Sequence, residues 1–340
     1  MPTVLLQGRL AAPRADALRE RLGADWRVLA WHPDADPLDA FAPLAAEADS
    51  IVGGRPPVEP WPPVPRLRLF QIPWTGSEWT GPERMPRGVA VANVYEHETA
   101  IAEYVVLAML EWRIGLRGMD ARFRREGWGG RQVATGPRHG EVRGATLGIV
   151  GHGHIGHEVA LRARALGMRV AGIRSTQLPC PPELDWLGTP ERLDELLGWS
   201  DFVLLACDLN AATRGLIDAG RLAAMKPGGV LINVARGAVV DEAALYAALA
   251  GRRIGGAVID VWWRYNEPGG AEVWPSAHAF HELDNVICSA HECATTDAVR
   301  ARRWAFVAHN LERVARGEPP ENVLFHGTQV PGSNVPGSAT

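Results

Sequence analysis

The sequence predicts an α/β protein of two domains. Its 340 residues are about twice the roughly 150 of a typical domain. Short runs rich in Val, Ile and Leu alternate with segments of helical apolar spacing, the pattern of parallel sheets covered on both faces. One strand-to-helix junction reads Gly151-His152-Gly153-His154-Ile155-Gly156, a G-x-G-x-x-G.

Composition narrows the function classes. Hydrophobic residues make up 46% of the chain and charged residues 22%, which excludes a chain disordered throughout. The net charge of -4 gives no basic field for nucleic acid and no polybasic block for an anionic membrane. No apolar run is long enough for a membrane-spanning helix. Cys180, Cys207, Cys288 and Cys293 form no C-x-x-C, so neither a metal centre nor a redox pair is expected. Sparse cysteine and an opening without a signal-peptide charge pattern fit a cytoplasmic protein.

The elements follow in order. Strands are expected at 4–6, 27–31 and 50–52, with helices at 13–22, closed by Gly23, and at 37–46. Strands at 67–72 and 89–94 flank a loop rich in Trp, Gly and Pro. Residues 98–116 read as a long apolar helix bridging two domains. The Gly- and Arg-rich stretch 117–143 reads as a loop with a helical turn or two. A second block has strands at 147–150, 170–173, 202–205, 230–234, 256–260 and 286–289. Its helices are 158–166, one opened by Thr189-Pro190 and ending near Gly198, and 241–249, closed by Gly251. A last helix spans 295–316, and 326–340, rich in Gly, Ser and Pro, reads as a flexible tail.

The glycine motif sits where it can act. It follows the apolar strand at 147–150 and opens a helix, with a second strand at βαβ distance. Gly151 makes the tight turn, Gly153 lets a pyrophosphate approach the backbone, and Gly156 lets helix and strand pack closely. The helix N-terminus, with His154 and Ile155, then faces the phosphates. His152 and His154 flank the cofactor rather than transfer protons. The second strand ends in Arg174-Ser175-Thr176, where an NAD site usually carries an acidic residue. Arginine forks to a 2′-phosphate and the hydroxyls add hydrogen bonds. NADP(H) is therefore expected in preference to NAD(H), which stays the alternative.

Further motifs carry a family likeness. Leu231-Ile232-Asn233-Val234-Ala235-Arg236-Gly237, Asp241-Glu242-Ala243-Ala244-Leu245, Gly256-Ala257-Val258-Ile259-Asp260-Val261 and Val286-Ile287-Cys288-Ser289-Ala290-His291 join the glycine loop. So do Thr213-Arg214-Gly215-Leu216-Ile217 and Met225-Lys226-Pro227-Gly228. Together they resemble the D-isomer-specific 2-hydroxyacid dehydrogenases, which include glyoxylate/hydroxypyruvate reductases and phosphoglycerate dehydrogenase. The resemblance implies a Rossmann dinucleotide-binding domain, 99–294, inserted into a flavodoxin-like substrate domain, 1–98 plus 295–325, with the site in a cleft closed by hinge motion. It implies reversible reduction of a 2-oxo acid to a D-2-hydroxy acid, with Arg236 orienting the substrate and His291 as proton donor. Cys207, Thr213, Val234, Ala235, Arg236 and Asp260 are the implied further cofactor contacts. The family's glutamate, five positions after the Asp260-type residue, is replaced here by Tyr265. Glu267 stands two residues later as a candidate substitute. Without a carboxylate partner His291 should have a lowered pKa.

The family's substrate loop maps onto Thr75, Gly76 and Ser77, with Trp74 and Trp79 beside it. Trp74 and Trp263 are candidate cleft aromatics, whereas most of the 13 tryptophans are expected to fill core. The resemblance also implies a homodimer through 117–143. Because the glutamate is missing, a dinucleotide-sensing, corepressor-like binding protein is the alternative to an enzyme.

Overall fold

The computed structural model describes residues 1–132, 135–266 and 270–330. The chain divides into two units, Met1–Glu96 with Thr296–Thr340, and His97–Thr295.

The first unit opens with β1 (Thr3–Gln7), α1 (Ala15–Leu22), β2 (Arg27–Trp31), α2 (Phe41–Glu47), β3 (Ser50–Gly53), β4 (Leu69–Gln71) and β5 (Ala90–Ala92). Gly23 ends α1 with φ +80°, a conformation open to glycine without a Cβ clash.

The second unit begins with α3 (Glu98–Ile114) and α4 (Leu116–Glu126). It continues as β6 (Thr146–Val150), α5 (His154–Ala165), β7 (Arg169–Ile173), β8 (Trp186–Gly188), α6 (Leu193–Trp199) and β9 (Phe202–Leu205). Then come α7 (Ala219–Ala224), β10 (Val230–Asn233), α8 (Glu242–Ala250), β11 (Gly256–Ile259) and β12 (Val286–Cys288). The chain then returns to the first unit with α9 (Asp297–Ala315) and β13 (Val323–His326).

The first unit's sheet runs β13-β5-β4-β3-β1-β2, parallel except for β13, which pairs antiparallel with β5. Both faces are buried. Val4 and Leu6 pack with Val307 and Leu311 of α9 on one side, and Leu5 packs with Phe41 and Phe70 on the other. This period-two division explains why β1 reads as a continuous apolar run. Tryptophans fill space here as expected: Trp31, Phe41, Trp61, Phe70 and Trp79 form a chain of ring contacts, centroids 5.6 to 6.3 Å apart.

The second unit's sheet is all parallel, ordered β12-β11-β10-β9-β6-β7-β8. Strand order reverses between β6 and β9, the topological switch point where α/β sheets bind ligands at their carboxyl ends. Leu147 and Ile149 face α3 and α5 through Met109 and Val159, while Val150 packs on the opposite side with Leu196 and Leu205.

Four sequence expectations need correction. The single helix at 98–116 is two helices, because Gly115 takes the left-handed conformation (φ +67°). The expected loop at 117–143 therefore begins with most of α4, whose charges hid it although they pair at helical spacing, as Asp120 does with Arg124. Edge strand β8 and helix α7 were not anticipated; both are short, and Asp218 caps α7 by accepting the Arg221 N–H at 2.9 Å. The tail does not start at 326. His326 ends β13, and the N–H groups of Gly327, Thr328 and Gln329 donate to the carbonyls of Val89, Pro82 and Met85. Residues 331–340 lie outside the described residues.

Candidate active site

The dinucleotide half is built around the switch point. Gly151, at the end of β6, has φ +96°, and a Cβ there would lie 2.6 Å from the Cys207 backbone beyond β9. A Cβ on Gly156 would meet the Gly151 carbonyl at 2.8 Å. Both glycines are therefore required for packing. Gly153 differs: nothing lies within 4 Å of its Cβ position. It is exposed and precedes the first residue of α5, with His154 exposed and Ile155 half-buried beside it. This open cradle at a helix N-terminus fits a dinucleotide pyrophosphate.

The loop is stitched to β7. Gly151 and His152 both donate their N–H to the Ile173 carbonyl, at 3.0 and 3.1 Å. The next residue, Arg174, donates from Nη1 to the His152 carbonyl at 3.1 Å. It forms no ion pair with an acidic side chain among the described residues, and Ser175 and Thr176 are exposed beyond it. Cys207 is half-buried and its thiol is pushed up to about 11 by burial. Thr213 closes a turn by donating its hydroxyl to the Asp208 carbonyl at 2.6 Å. Val234 and Ala235 are buried after β10, where the Asn233 side-chain oxygen accepts the Ala235 N–H.

The candidate catalytic residues gather at the ends of β10, β11 and β12. Arg236 donates to the Ala235 carbonyl at 2.8 Å, and the Asn233 amide holds the Arg236 carbonyl at 3.1 Å. Gly237 follows because a Cβ there would lie 2.3 Å from the Trp262 backbone. Asp260 is fully buried. Its carboxylate accepts the Ser289 hydroxyl at 2.5 Å and the N–H groups of Glu292 and Cys293 at 2.9 and 3.2 Å. Asp260 thus sits behind the turn that carries His291. That turn puts His291 at φ +58°, tied by its N–H to the Asp260 carbonyl at 2.8 Å. Tyr104 of α3 completes the backing. With the Ser289 proton committed to Asp260, the phenol donates to Ser289 at 2.7 Å, and burial pushes its pKa up to about 12. The sequence reading missed Tyr104 and Ser289, because a residue of α3 and one beyond β12 meet only through the fold.

Tyr265 reaches the imidazole. Its hydroxyl lies 3.0 Å from His291 Nδ1 and accepts the Trp262 N–H at 3.1 Å. His291 is exposed, yet loss of hydration on its protein side lowers its pKa; Asp260 opposes this and Arg236 reinforces it. Burial raises the Tyr265 pKa, while the Trp262 N–H and Arg236 hold it back. Arg236, Tyr265 and His291 therefore share one electrostatic environment. The other candidate, Glu267, lies outside the described residues. Trp263 stacks on Phe280 (centroids 5.4 Å, 14°), and a cavity of about 230 Å³ opens beside Trp262, Trp274, Phe280 and Ser289.

In the first unit, the loop after β4 is pinned by its own strands. The Thr75 hydroxyl donates to the Val94 carbonyl and the Asn93 amide to the Thr75 carbonyl, both at 2.9 Å. Thr75 thus spends its proton on the fold. Ser77 accepts the Thr80 N–H through its backbone carbonyl at 3.1 Å. A Cβ on Gly54 would lie 2.9 Å from the Trp74 ring, so Trp74 packs over that backbone.

Residues 106–293 match the profile of the D-isomer specific 2-hydroxyacid dehydrogenase, NAD binding domain. The chain belongs to this family. It is an NAD(P)-dependent 2-hydroxyacid dehydrogenase/reductase by that membership. It is 32% identical over 317 residues to a glyoxylate reductase of Thermococcus kodakarensis, covering 90% of this dehydrogenase and 92% of that enzyme. It is 31% identical over 239 residues to the D-3-phosphoglycerate dehydrogenase of Methanocaldococcus jannaschii, covering 70% of this chain but 43% of that protein. Among solved structures, an NADPH-dependent glyoxylate/hydroxypyruvate reductase from Sinorhizobium meliloti, in complex with NADP and sulfate, superimposes with TM-score 0.73 at 24% identity. The match covers 95% of this chain and 98% of that one. Among the described residues, no helix is long and apolar enough to cross a membrane.

Proposed function

We propose that this dehydrogenase works as an NADPH-preferring reductase of a 2-oxo acid, forming the D-2-hydroxy acid. The observation that carries the reading is the grouping of Arg236 with a Tyr265–His291 pair on strand ends of one parallel sheet. A nicotinamide coenzyme supplies the hydride when bound. Arg236 orients the 2-oxo acid by a planar two-point hydrogen bond. His291 donates a proton from Nε2 to the carbonyl oxygen that becomes the hydroxyl. Asp260 and Ser289 hold the turn that aims it. To Thr75, Gly76 and Ser77 we assign contacts with the substrate carboxylate, through backbone N–H groups rather than the Thr75 hydroxyl.

NADPH preference rests on Arg174. Its guanidinium sits at the strand end beside the glycine loop without an acidic partner among the described residues, ready to fork to a 2′-phosphate. We further infer a homodimer through the 117–143 segment. There α4 and the following turn leave Leu116, Phe123 and Trp128 60 to 66% exposed, an apolar stripe of the kind that interfaces cover.

The test is coenzyme oxidation with a panel of 2-oxo acids between about pH 5 and 8, the range in which histidine titrates. Turnover faster with NADPH than NADH supports the reading. Tight NADPH binding with no turnover on any member of the panel replaces it with the dinucleotide-sensing alternative. Light scattering of the chain and of Phe123→Glu tests the dimer.

A further inference from the structure

We propose a transition-metal site in the second unit, formed by His152, His157 and Glu183, that clamps the glycine loop to the segment before β8. Cysteine spacing gave no hint of it. One ligand atom from each of the three residues lies within 4.8 Å of the other two. His152 is the second residue of the glycine loop, His157 lies in the first turn of α5, and Glu183 comes 26 residues after His157.

Two observations point to a cation. The first is the ligand geometry. Tetrahedral zinc with bonds of about 2.0–2.1 Å to nitrogen and oxygen sets neighbouring ligand atoms about 3.4 Å apart. His152 Nε2 already stands 3.5 Å from Glu183 Oε1. His157 Nδ1 is closer, at 2.7 Å, where its hydrogen bridges to the carboxylate. An ion takes the place of that hydrogen, and neutral His157 carries its proton on Nε2 instead. The ring is 49% exposed, so it has room to move back by the required ~0.7 Å.

The second observation is an orphaned buried nitrogen. The His152 side chain is only 7% exposed, and its Nε2 makes no hydrogen bond among the described residues. A buried ring nitrogen without a partner is costly, and here it lies 3.5 Å from an oxygen of a carboxylate that is itself 5% exposed. An ion between them gives that nitrogen its missing partner. Two imidazoles and one carboxylate favour Zn²⁺, Co²⁺ or Ni²⁺ over Mg²⁺, which prefers oxygen ligands. The exposed side of His157 leaves the fourth position to water.

The consequence is mechanical. The His152 N–H is bonded to Ile173 and its carbonyl to Arg174. An ion on its side chain fixes the one part of this residue that the backbone leaves free. The loop between Gly151 and Gly153 is then held from three directions. The inference does not depend on which coenzyme or oxo acid the enzyme uses.

The test is titration of chelator-treated, tag-free full-length chain with ZnCl₂ by calorimetry, and with CoCl₂ by absorption. The expected result is one ion per chain, a cobalt spectrum of tetrahedral type and a raised thermal midpoint. His157→Ala, at a half-exposed position that folding tolerates, should weaken binding by about a hundredfold or more, since even outer-sphere losses cost 10–100-fold. Glu183→Gln, which keeps the shape of the buried side chain, should do the same. The proposal is overturned if the chain binds no stoichiometric ion, if both variants bind as the parent does, or if alkylating the thiols alone abolishes binding and so moves the ion to the cysteines.

Discussion

Replacing Tyr265 by Phe isolates one hydrogen bond and tests the direction in which it acts. The Trp262 N–H donates to the phenol oxygen at 3.1 Å, so the phenol proton is turned toward its other neighbour, His291 Nδ1, at 3.0 Å. An Nδ1 that accepts is unprotonated, and the neutral ring then carries its hydrogen on Nε2. Protonating Nδ1 reverses that bond: the phenol oxygen must then accept from both Trp262 and His291, and its own proton has to turn away from the ring. Tyr265 therefore favours neutral imidazole, the opposite of a carboxylate at this position. A neutral hydrogen bond is worth about 0.5–1.5 kcal/mol, and one pKa unit about 1.4 kcal/mol. Tyr265→Phe should thus raise the His291 pKa by about 0.4–1 unit. Tyr265→Glu should raise it by about 1–3 units, as an opposite charge at this range does. The assay is the pH profile of kcat/KM for 2-oxo acid reduction. Reduction needs the imidazolium, so its rate falls as pH rises through the His291 pKa. In the parent enzyme that fall should lie below the ordinary histidine value, because loss of hydration lowers the pKa; in Tyr265→Phe it should move upward. A downward move, or none in either variant, would refute the tautomer argument.

The remaining predictions concern separate parts of the site. Arg236→Gln should lower kcat/KM about a hundredfold by loosening substrate orientation while changing the NADPH Kd far less, as steady-state kinetics with equilibrium binding can show. Arg174→Ala should weaken NADPH by roughly 10–150-fold, the equivalent of one charge-assisted contact of about 1.5–3 kcal/mol, and leave NADH binding within a few-fold. The two loop glycines should separate stability from function. Gly151→Ala meets the Cys207 backbone at 2.6 Å with φ +96° and should cost about 1–3 kcal/mol or more in urea unfolding. Gly153→Ala, with open space around it, should unfold like the parent but bind dinucleotide poorly.

What was readable in the sequence was what local chemistry encodes. Strands β1, β3, β6 and β9 are buried on both faces, and each stands out as an apolar run. Gly151 and Gly156 announce their turns because no other residue fits them. Motif position put Arg236 and His291 beyond strand ends, and both do follow strands of the one parallel sheet. Elements hidden by charge or brevity were lost. The α4 helix is polar enough to pass for a loop, and β13 joins its sheet only because β5, more than two hundred residues earlier, offers an edge. The contact of Tyr265 with His291 was out of reach for a different reason. The sequence shows a phenol where a carboxylate was expected, but which way the phenol points its proton depends on a backbone N–H three residues away. The His157–Glu183 contact is likewise invisible until β7 brings the two segments together.

The interleaving of the two units also bears on biosynthesis. The sheet led by β1 is finished only when β13 pairs with β5, whereas the intervening unit is unbroken from His97 to Thr295. On a ribosome, the middle of the polypeptide thus has everything it needs before the part made first does. The opening segment must wait, with one edge of its sheet unpaired, for the last strand to emerge. Nascent chains halted just short of Val323 should accordingly yield a protease-resistant centre flanked by a labile amino-terminal portion.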